Sequence, residues 1–224
     1  MNYRIISFDI FQTLVDVNER IPEIWRGILK DSYTDEKARQ GAKAILSTLP
    51  NVYEKAVQSE QFKTMTEVYQ ECAQKAMEKL NFKTTAQDVA YNLMCQHAKA
   101  PFFHDVLDCM KKLRPKYQII LSSDSNHLMV DDLICKITYD KAFISDDLKS
   151  YKGNKSGKFF HTVLGQLDTE PKEIIHIGDS SADVLGAHRA GITSCWINRD
   201  NRKWNNPIKP DFIIQNFNDL VDIL

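Results

Sequence analysis

Four pairs of polar residues stand where apolar runs of the 224-residue chain break off: Asp9 with Thr13, Ser122 with Ser123, Lys152 with Lys155, and Asp179 with Asp183. Each residue type has a use in one kind of chemistry. A carboxylate can attack an electrophilic phosphorus or carbon and form a covalent intermediate that water then resolves. Asp9, which ends the run "ISFD", is the candidate nucleophile. Two anions approach closely only when their charge is neutralised, and a hard divalent cation that keeps several waters, Mg²⁺ by preference, serves that need. Asp9 and Asp179 are expected to share it. A hydroxyl at Ser122 and a fixed positive charge at Lys152 suit the oxygens of a transferring group, and the lysine is also expected to hold Asp9 ionised. Thr13, Ser123 and Lys155 are the accompanying candidates for substrate contacts. Together these residues read as an anion-handling site with metal ligands.

Such residues need a frame that brings them together. Short apolar runs recur at 3–8, 117–122, 142–145, 173–178, 192–197 and 211–214. Those beginning at 3, 117 and 173 show little polar alternation, the pattern of strands buried on both faces of a parallel sheet. Helical periods lie between them. "FFHDVLDCMKKL" sets Phe103, Val106, Leu107, Met110 and Leu113 on one face before Pro115, and "GKFFHTVLGQL" does the same with Phe159, Phe160, Val163, Leu164 and Leu167. "ADVLGAHRAG" ends at Gly191, a suitable left-handed cap. Strand alternating with helix predicts an α/β fold with a doubly wound parallel sheet, in which residues just after the strands converge on one crevice.

The interval 16–98 departs from this pattern. It holds helical stripes, among them Ile21, Ile24, Trp25, Ile28 and Leu29 behind Pro22, and Val68, Tyr69, Cys72, Ala73, Ala76 and Leu80, but no convincing strand. The expected organisation is a core of residues 1–15 and 99–224 with a helical insertion of residues 16–98.

Composition narrows the function. Twenty-nine basic against thirty acidic residues give a formal net charge of −1, so bulk electrostatics gives no pull toward nucleic acid or an anionic membrane. The partner is expected to be a small molecule held by a local site. Five cysteines, widely spread and never spaced as CxxC, read as apolar residues in a reducing compartment. Asp9 interrupts the N-terminal apolar run, and nowhere do eighteen apolar residues fall together. The expected location is cytoplasmic. His176, inside an apolar run, reads as a satisfied core histidine.

These residues resemble the four motifs of the haloacid dehalogenase superfamily of aspartate-nucleophile hydrolases. "FDIFQTLVD" is similar to the first, "IILSSDSN" to the second, "SDDLKSYKGNKSGKFF" to the third and "IIHIGDSSADVLGAHRAGI" to the fourth. The resemblance implies a Rossmann-like core and a helical cap, inserted after the first motif, that closes over the site and selects substrate. It assigns Asp9 as nucleophile, the backbone carbonyl of Phe11 and the carboxylate of Asp179 as metal ligands, and Ser122 as the phosphate-binding hydroxyl. Asp183 matches the second acid of the fourth motif, which binds or orients the metal. In the third motif Ser145 plus seven gives Lys152, but Gly153 stands where a proline is usual, which leaves Lys155 as a rival.

One position divides the reading. Phosphatases resembling this chain carry a second aspartate two residues after the nucleophile; here that residue is Phe11. Such an acid protonates the leaving group, help worth about 10²–10⁴-fold. The 2-haloacid dehalogenases resemble this chain at that turn, because a departing halide needs no proton, but they dispense with metal and lack the acid at Asp179. They use a cap arginine, and no surrounding pattern singles out Arg26 or Arg39 for it. Mg²⁺-dependent hydrolysis of a small phosphorylated metabolite is the expected activity. A dehalogenase-like hydrolase and a degenerate, non-catalytic metal-binding homologue are the alternatives.

Overall fold

The apolar runs become strands of a single sheet. In the computed structural model, which describes residues 3–80 and 82–224 apart from the side chains of 221 and 222, these are β1 (Ile5–Phe8), β2 (Gln118–Ser123), β3 (Lys141–Ile144), β4 (Ile174–Gly178), β5 (Thr193–Ile197) and β6 (Phe212–Ile214). All pair in parallel, in the order β3-β2-β1-β4-β5-β6. Every residue of β1 and β4 is buried, as expected of strands covered on both faces.

The chain forms two compact units. One is helical, comprising Val17–Pro101 and Ser125–Cys135. It contains α1 (Ile21–Leu29), α2 (Asp35–Gln58), α3 (Met65–Met77), α4 (Ala86–His97) and α6 (His127–Ile134). Polar side chains start these helices by accepting an otherwise orphaned backbone N–H: Thr34 for α2, Thr64 for α3, Thr85 for α4 and Asn126 for α6. Asn126 also donates to Thr66 Oγ1 at 3.1 Å, which ties α6 to the first turn of α3. The 125–135 segment therefore joins the helical unit although it follows β2 in the chain.

The other unit reaches to Asp16 and includes Phe102–Asp124 and Lys136–Leu224. It holds the sheet with α5 (Val106–Leu113), α7 (Ser145–Leu148), α8 (Lys158–Leu167) and α9 (Ser181–Arg189). Phe159, Phe160, Val163 and Leu164 of α8 are buried in a cluster with Ile5, Ile120 and Ile174 from the sheet; burying each large side chain contributes about 1.5–3 kcal/mol. The predicted helix from residue 102 is shorter than its apolar period, because Phe102 bridges to Val15, Phe103 N–H donates to Leu14 O, and a turn at 104–105 precedes the helix. α5 starts at Val106, and Leu107, expected on the buried face, is 41% exposed. Gly191 has φ +71, the left-handed conformation expected after α9.

The order of the sheet positions the chemistry. β1 lies between β2 and β4, and crossovers leave in opposite directions on its two sides. That reversal opens a crevice at the carboxyl ends of the central strands, where Asp9 follows β1 and Asp179 follows β4.

Candidate active site

Asp9 is fixed by its backbone. Its N–H donates to Ile177 O of β4 at 2.9 Å, and the residue is 6% exposed. The turn that follows is tight: Leu14 and Val15 N–H both donate to Ile10 O, and Gln12 has φ 61. Phe11 lies on this turn, half-buried and paired with Val15. Thr13 is fully buried, its carbonyl accepting from Arg199 Nη2 at 3.1 Å, while its Oγ1 has no hydrogen-bond partner among the described residues.

Lys152 is brought to Asp9 by the loop after α7. Asp124 Oδ1 accepts from Lys152 N at 2.9 Å, and Arg189 of α9 donates to Gly153 O at 2.9 Å. The Lys152 side chain is 3% exposed, and its ammonium donates to Asp9 Oδ1 at 2.6 Å and Asp183 Oδ1 at 2.5 Å. Lys155, three residues on, is solvent-exposed. Glycine is required beside this contact, because a Cβ at Gly186 would lie 2.4 Å from Lys152 O.

Asp183 is the most heavily bonded of the acids. Its Oδ2 accepts from Ser180 N at 3.0 Å and from Ser180 Oγ, closing the capping box that starts α9. Its Oδ1 takes Lys152 and, at 3.0 Å, His176 Nε2. A Cβ at Gly178 would lie 2.2 Å from the Asp183 side chain, so the end of β4 must be glycine for this approach. His176 Nδ1 in turn meets Ser7 Oγ at 2.8 Å, and Ser7 Oγ meets Ser122 Oγ at 2.9 Å. A buried polar chain thus runs from Ser122 through Ser7 and His176 to Asp183. Ser123 is also fully buried, but the pleat turns it to the face opposite Ser122, and its Oγ has no partner among the described residues.

One ligand atom each from Asp9, Asp179 and Asp183 falls within 4.8 Å of the others. Three carboxylates thus face one interior ammonium, with Arg202 bound to Asp179 Oδ2 at 3.1 Å from outside. Burial pushes Asp9 up to about 8, because Lys152 offsets only part of the penalty and Asp183 adds repulsion. Burial, then repulsion from Asp183, pushes Asp179 up to about 6. Asp183 goes the other way: burial alone would raise it, but Lys152 and His176 hold it well below the usual carboxylate range. Burial keeps His176 below its ordinary value. In the cation-free protein burial thus outweighs the pull of Lys152 at Asp9, whereas at Asp183 Lys152 and His176 outweigh burial.

The donor set fits a divalent cation. Asp183 has both oxygens engaged, whereas Asp9 Oδ2 and Asp179 Oδ1 have no protein partner among the described residues. Burial, then repulsion from Asp183, makes ionised Asp9 and Asp179 costly, and a cation held by both would offset that cost.

A pH dependence follows for the cation-free protein. Asp9 keeps its proton in the folded state up to about pH 8 but loses it near 3.8 when unfolded. The folded state then binds more protons, so stability falls as pH rises through that window, by up to about 1.4 kcal/mol per pH unit and per group. Asp179 adds the same sign between 3.8 and about 6. The depressed Asp183 contributes stability that is lost only as pH falls below the unfolded value of 3.8. Thermal melts in EDTA are expected to show Tm declining from pH 5 to pH 8.5, with a shallower decline in Asp9→Asn. Equal slopes in the two proteins would show that Asp9 is already ionised.

Ser7, Asp124 and Arg202 are site residues that sequence reasoning missed. Ser7 carried a signal, as a lone hydroxyl inside an apolar strand, and Asp124 stood next to a predicted site residue. Arg202 carried none.

The strand order reverses beside β1, and Asp9 and Asp179 stand at that point. The sequence matches the haloacid dehalogenase-like hydrolase family over residues 3–191, and the chain belongs to that family. It is 23% identical to pyrophosphatase PpaX of Anoxybacillus flavithermus, with 100% of this chain and 98% of that protein covered. In fold it is similar to the hydrolase YfnB of Bacillus subtilis, whose crystal structure has magnesium bound, at a TM-score of 0.83 and 17% identity over 100% of this chain and 99% of that one. It is equally similar to the L-2-haloacid dehalogenase of Xanthobacter autotrophicus, solved with chloropropionic acid covalently bound, at a TM-score of 0.83 and 15% identity over 99% and 98% of the two chains.

Proposed function

We propose that this hydrolase is a Mg²⁺-dependent phosphatase that acts on a small phosphorylated metabolite through an aspartyl-phosphate at Asp9. The observation that carries the reading is the trio Asp9, Asp179 and Asp183, the first and last buried and Asp179 half-buried, with one interior lysine bound to Asp9 and Asp183. Burying carboxylates so close together without a further positive charge is electrostatically unfavourable. The magnesium bound to YfnB supports the choice of ion.

In this reading Asp9, Asp179 and the Phe11 carbonyl would hold the cation, and Asp183 would orient the set. When bound, the ion neutralises the transferring group's oxygens and lets two anions meet. The Asp9 carboxylate attacks phosphorus, an Asp9–phosphorus bond forms, and the bond from phosphorus to the leaving oxygen breaks. Water then releases phosphate and restores Asp9. Lys152 fixes the rotamer of Asp9 and, with two of its three N–H groups committed to Asp9 and Asp183, has one left for an anionic oxygen. Ser122 meets Ser7 and shares its face, the face of Asp9 by strand alternation, while the hydroxyls of Thr13 and, on the opposite face, Ser123 are unpartnered among the described residues. The helical unit serves as the cap that selects the substrate.

Phe11 favours a second reading, a dehalogenase-like hydrolase, because its side chain has no proton to give. One panel separates the two. Phosphate esters and 2-haloacids are assayed with Mg²⁺ and with EDTA, using wild type and Asp179→Asn. The expected result is Mg²⁺-dependent phosphate release, lost on chelation and reduced at least about 10²-fold in Asp179→Asn. Halide release at full rate in EDTA would reverse the assignment. Failure to trap any aspartyl-phosphate would favour a non-catalytic homologue.

A further inference from the structure

The loop after β5 delivers a guanidinium to Asp179 with more structure than an ion pair needs. Arg202 Nη2 donates to Asp179 O at 2.8 Å and to its Oδ2 at 3.1 Å. Buried Asn198 clamps the Arg202 backbone from both sides, accepting from its N–H at 2.7 Å and donating to its carbonyl at 2.9 Å. Trp196 donates to the same Asp179 carbonyl at 2.8 Å and lies under the guanidinium, 6.0 Å from ring centre to Cζ. Trp204 packs on Trp196 with ring centres 4.9 Å apart. Asn198 and the two tryptophans thus form a platform that presents Arg202.

The ion pair alone does not account for this platform. The Arg202 side chain is 47% exposed, and pairs so open to water add little to stability. One nitrogen makes both contacts with Asp179, and the N–H groups on Nε and Nη1 meet no hydrogen-bond partner among the described residues. A guanidinium with free N–H groups in a planar fork is suited to a carboxylate or phosphate. Asp179 is also one of the two acids with an open oxygen. A cation taken up there would repel Arg202, while the Asp179 carbonyl and the Asn198 clamp would still hold the arginine nearby.

We propose that Arg202 is a substrate-anchoring residue: parked on Asp179 in the free enzyme, it passes to a second anionic group of the substrate when a divalent cation takes the Asp179 carboxylate. This rests on the reading of Asp9 and Asp179 as the cation-binding pair of a phosphatase. It narrows the substrate class to molecules carrying a phosphate or carboxylate besides the phosphoryl group that is transferred.

The test has two arms, each on the full chain. In the first, Mg²⁺ is titrated calorimetrically into substrate-free wild type, Arg202→Gln and Arg202→Lys. Removing the competing guanidinium is expected to tighten Mg²⁺ binding about two- to tenfold in Arg202→Gln. In the second, apparent affinities are measured in Mg²⁺ for pyrophosphate, with two linked phosphoryl groups, and phenyl phosphate, with one. Preference for pyrophosphate is expected to fall about ten- to a hundredfold in Arg202→Gln and to be partly restored in Arg202→Lys. Unchanged Mg²⁺ affinity, or equal losses for both ligands with a lowered Tm, would overturn the proposal and leave Arg202 as a structural tie. A wild type that binds Mg²⁺ and both phosphates but hydrolyses neither would defeat the phosphatase reading while the two arms still decide the role of Arg202.

Discussion

Asp9→Asn is expected to lower turnover by at least about 10⁴-fold, the scale on which loss of a nucleophile is felt when the rest of a site is intact. The amide keeps the shape of the carboxylate and still offers Lys152 an oxygen, so the contact at 2.6 Å has a substitute. It is a poor nucleophile, however, and a weaker ligand for a hard cation. The fold should not suffer. Because burial pushes Asp9 up to about 8, asparagine avoids ionising a buried acid, and the cation-free variant should be at least as stable as wild type at pH 8.5. Steady-state rates, acid-quench trapping of the phosphoenzyme and thermal melts test the three parts. Turnover at the wild-type rate would sink the whole mechanism.

The second large effect concerns the turn after Asp9. With Phe11 in place of an acid, the leaving group must accept its negative charge unaided. The rate should therefore fall steeply as the leaving group becomes more basic. Aryl and acyl phosphates are expected to turn over about 10²–10⁴-fold faster than simple alkyl phosphates, the range that general acid help would otherwise supply. Phe11→Asp should flatten this dependence by supplying the proton, at some cost in packing, since Phe11 is half-buried. Its backbone carbonyl is unchanged by the substitution. A plot of the chemical step against leaving-group pKa, for both proteins, is the measurement. Equal rates for alkyl and aryl phosphates in wild type would show that another residue donates the proton.

The strand ends were legible in the sequence for a physical reason. A parallel sheet gathers its carboxyl ends, so charge following a buried run, as at Asp9 and Asp179, already implies proximity. Lys152 could be placed by counting from Ser145, but the loop's departure from the usual proline left Lys155 open until the contacts of each were visible. What the sequence concealed depends on side-chain reach. Ser7 to His176 to Asp183 is a chain of hydrogen bonds across neighbouring strands, and no spacing along one strand encodes it. Arg202 lies 23 residues from the Asp179 it bonds, in a polar loop like any other. The division of the lysine's charge between two acids was equally hidden, because it depends on distances rather than on residue types.

The membership of α6 in the helical unit was hidden for a different reason. Its buried Met129, Val130 and Leu133 would form the same stripe whether it covered a sheet or other helices. Because Ser125–Cys135 belongs with Val17–Pro101, the helical unit is not encoded as one removable cassette. Deleting 17–101 would leave the apolar stripe of α6 and the amide of Asn126 without their neighbours, on a core prone to aggregate. Grafting another family member's insertion at the same junctions would create a chimera in which α6 faces foreign helices. Recombination here should succeed only when the segment after β2 travels with the insertion, so these two stretches are expected to behave as a single unit of exchange.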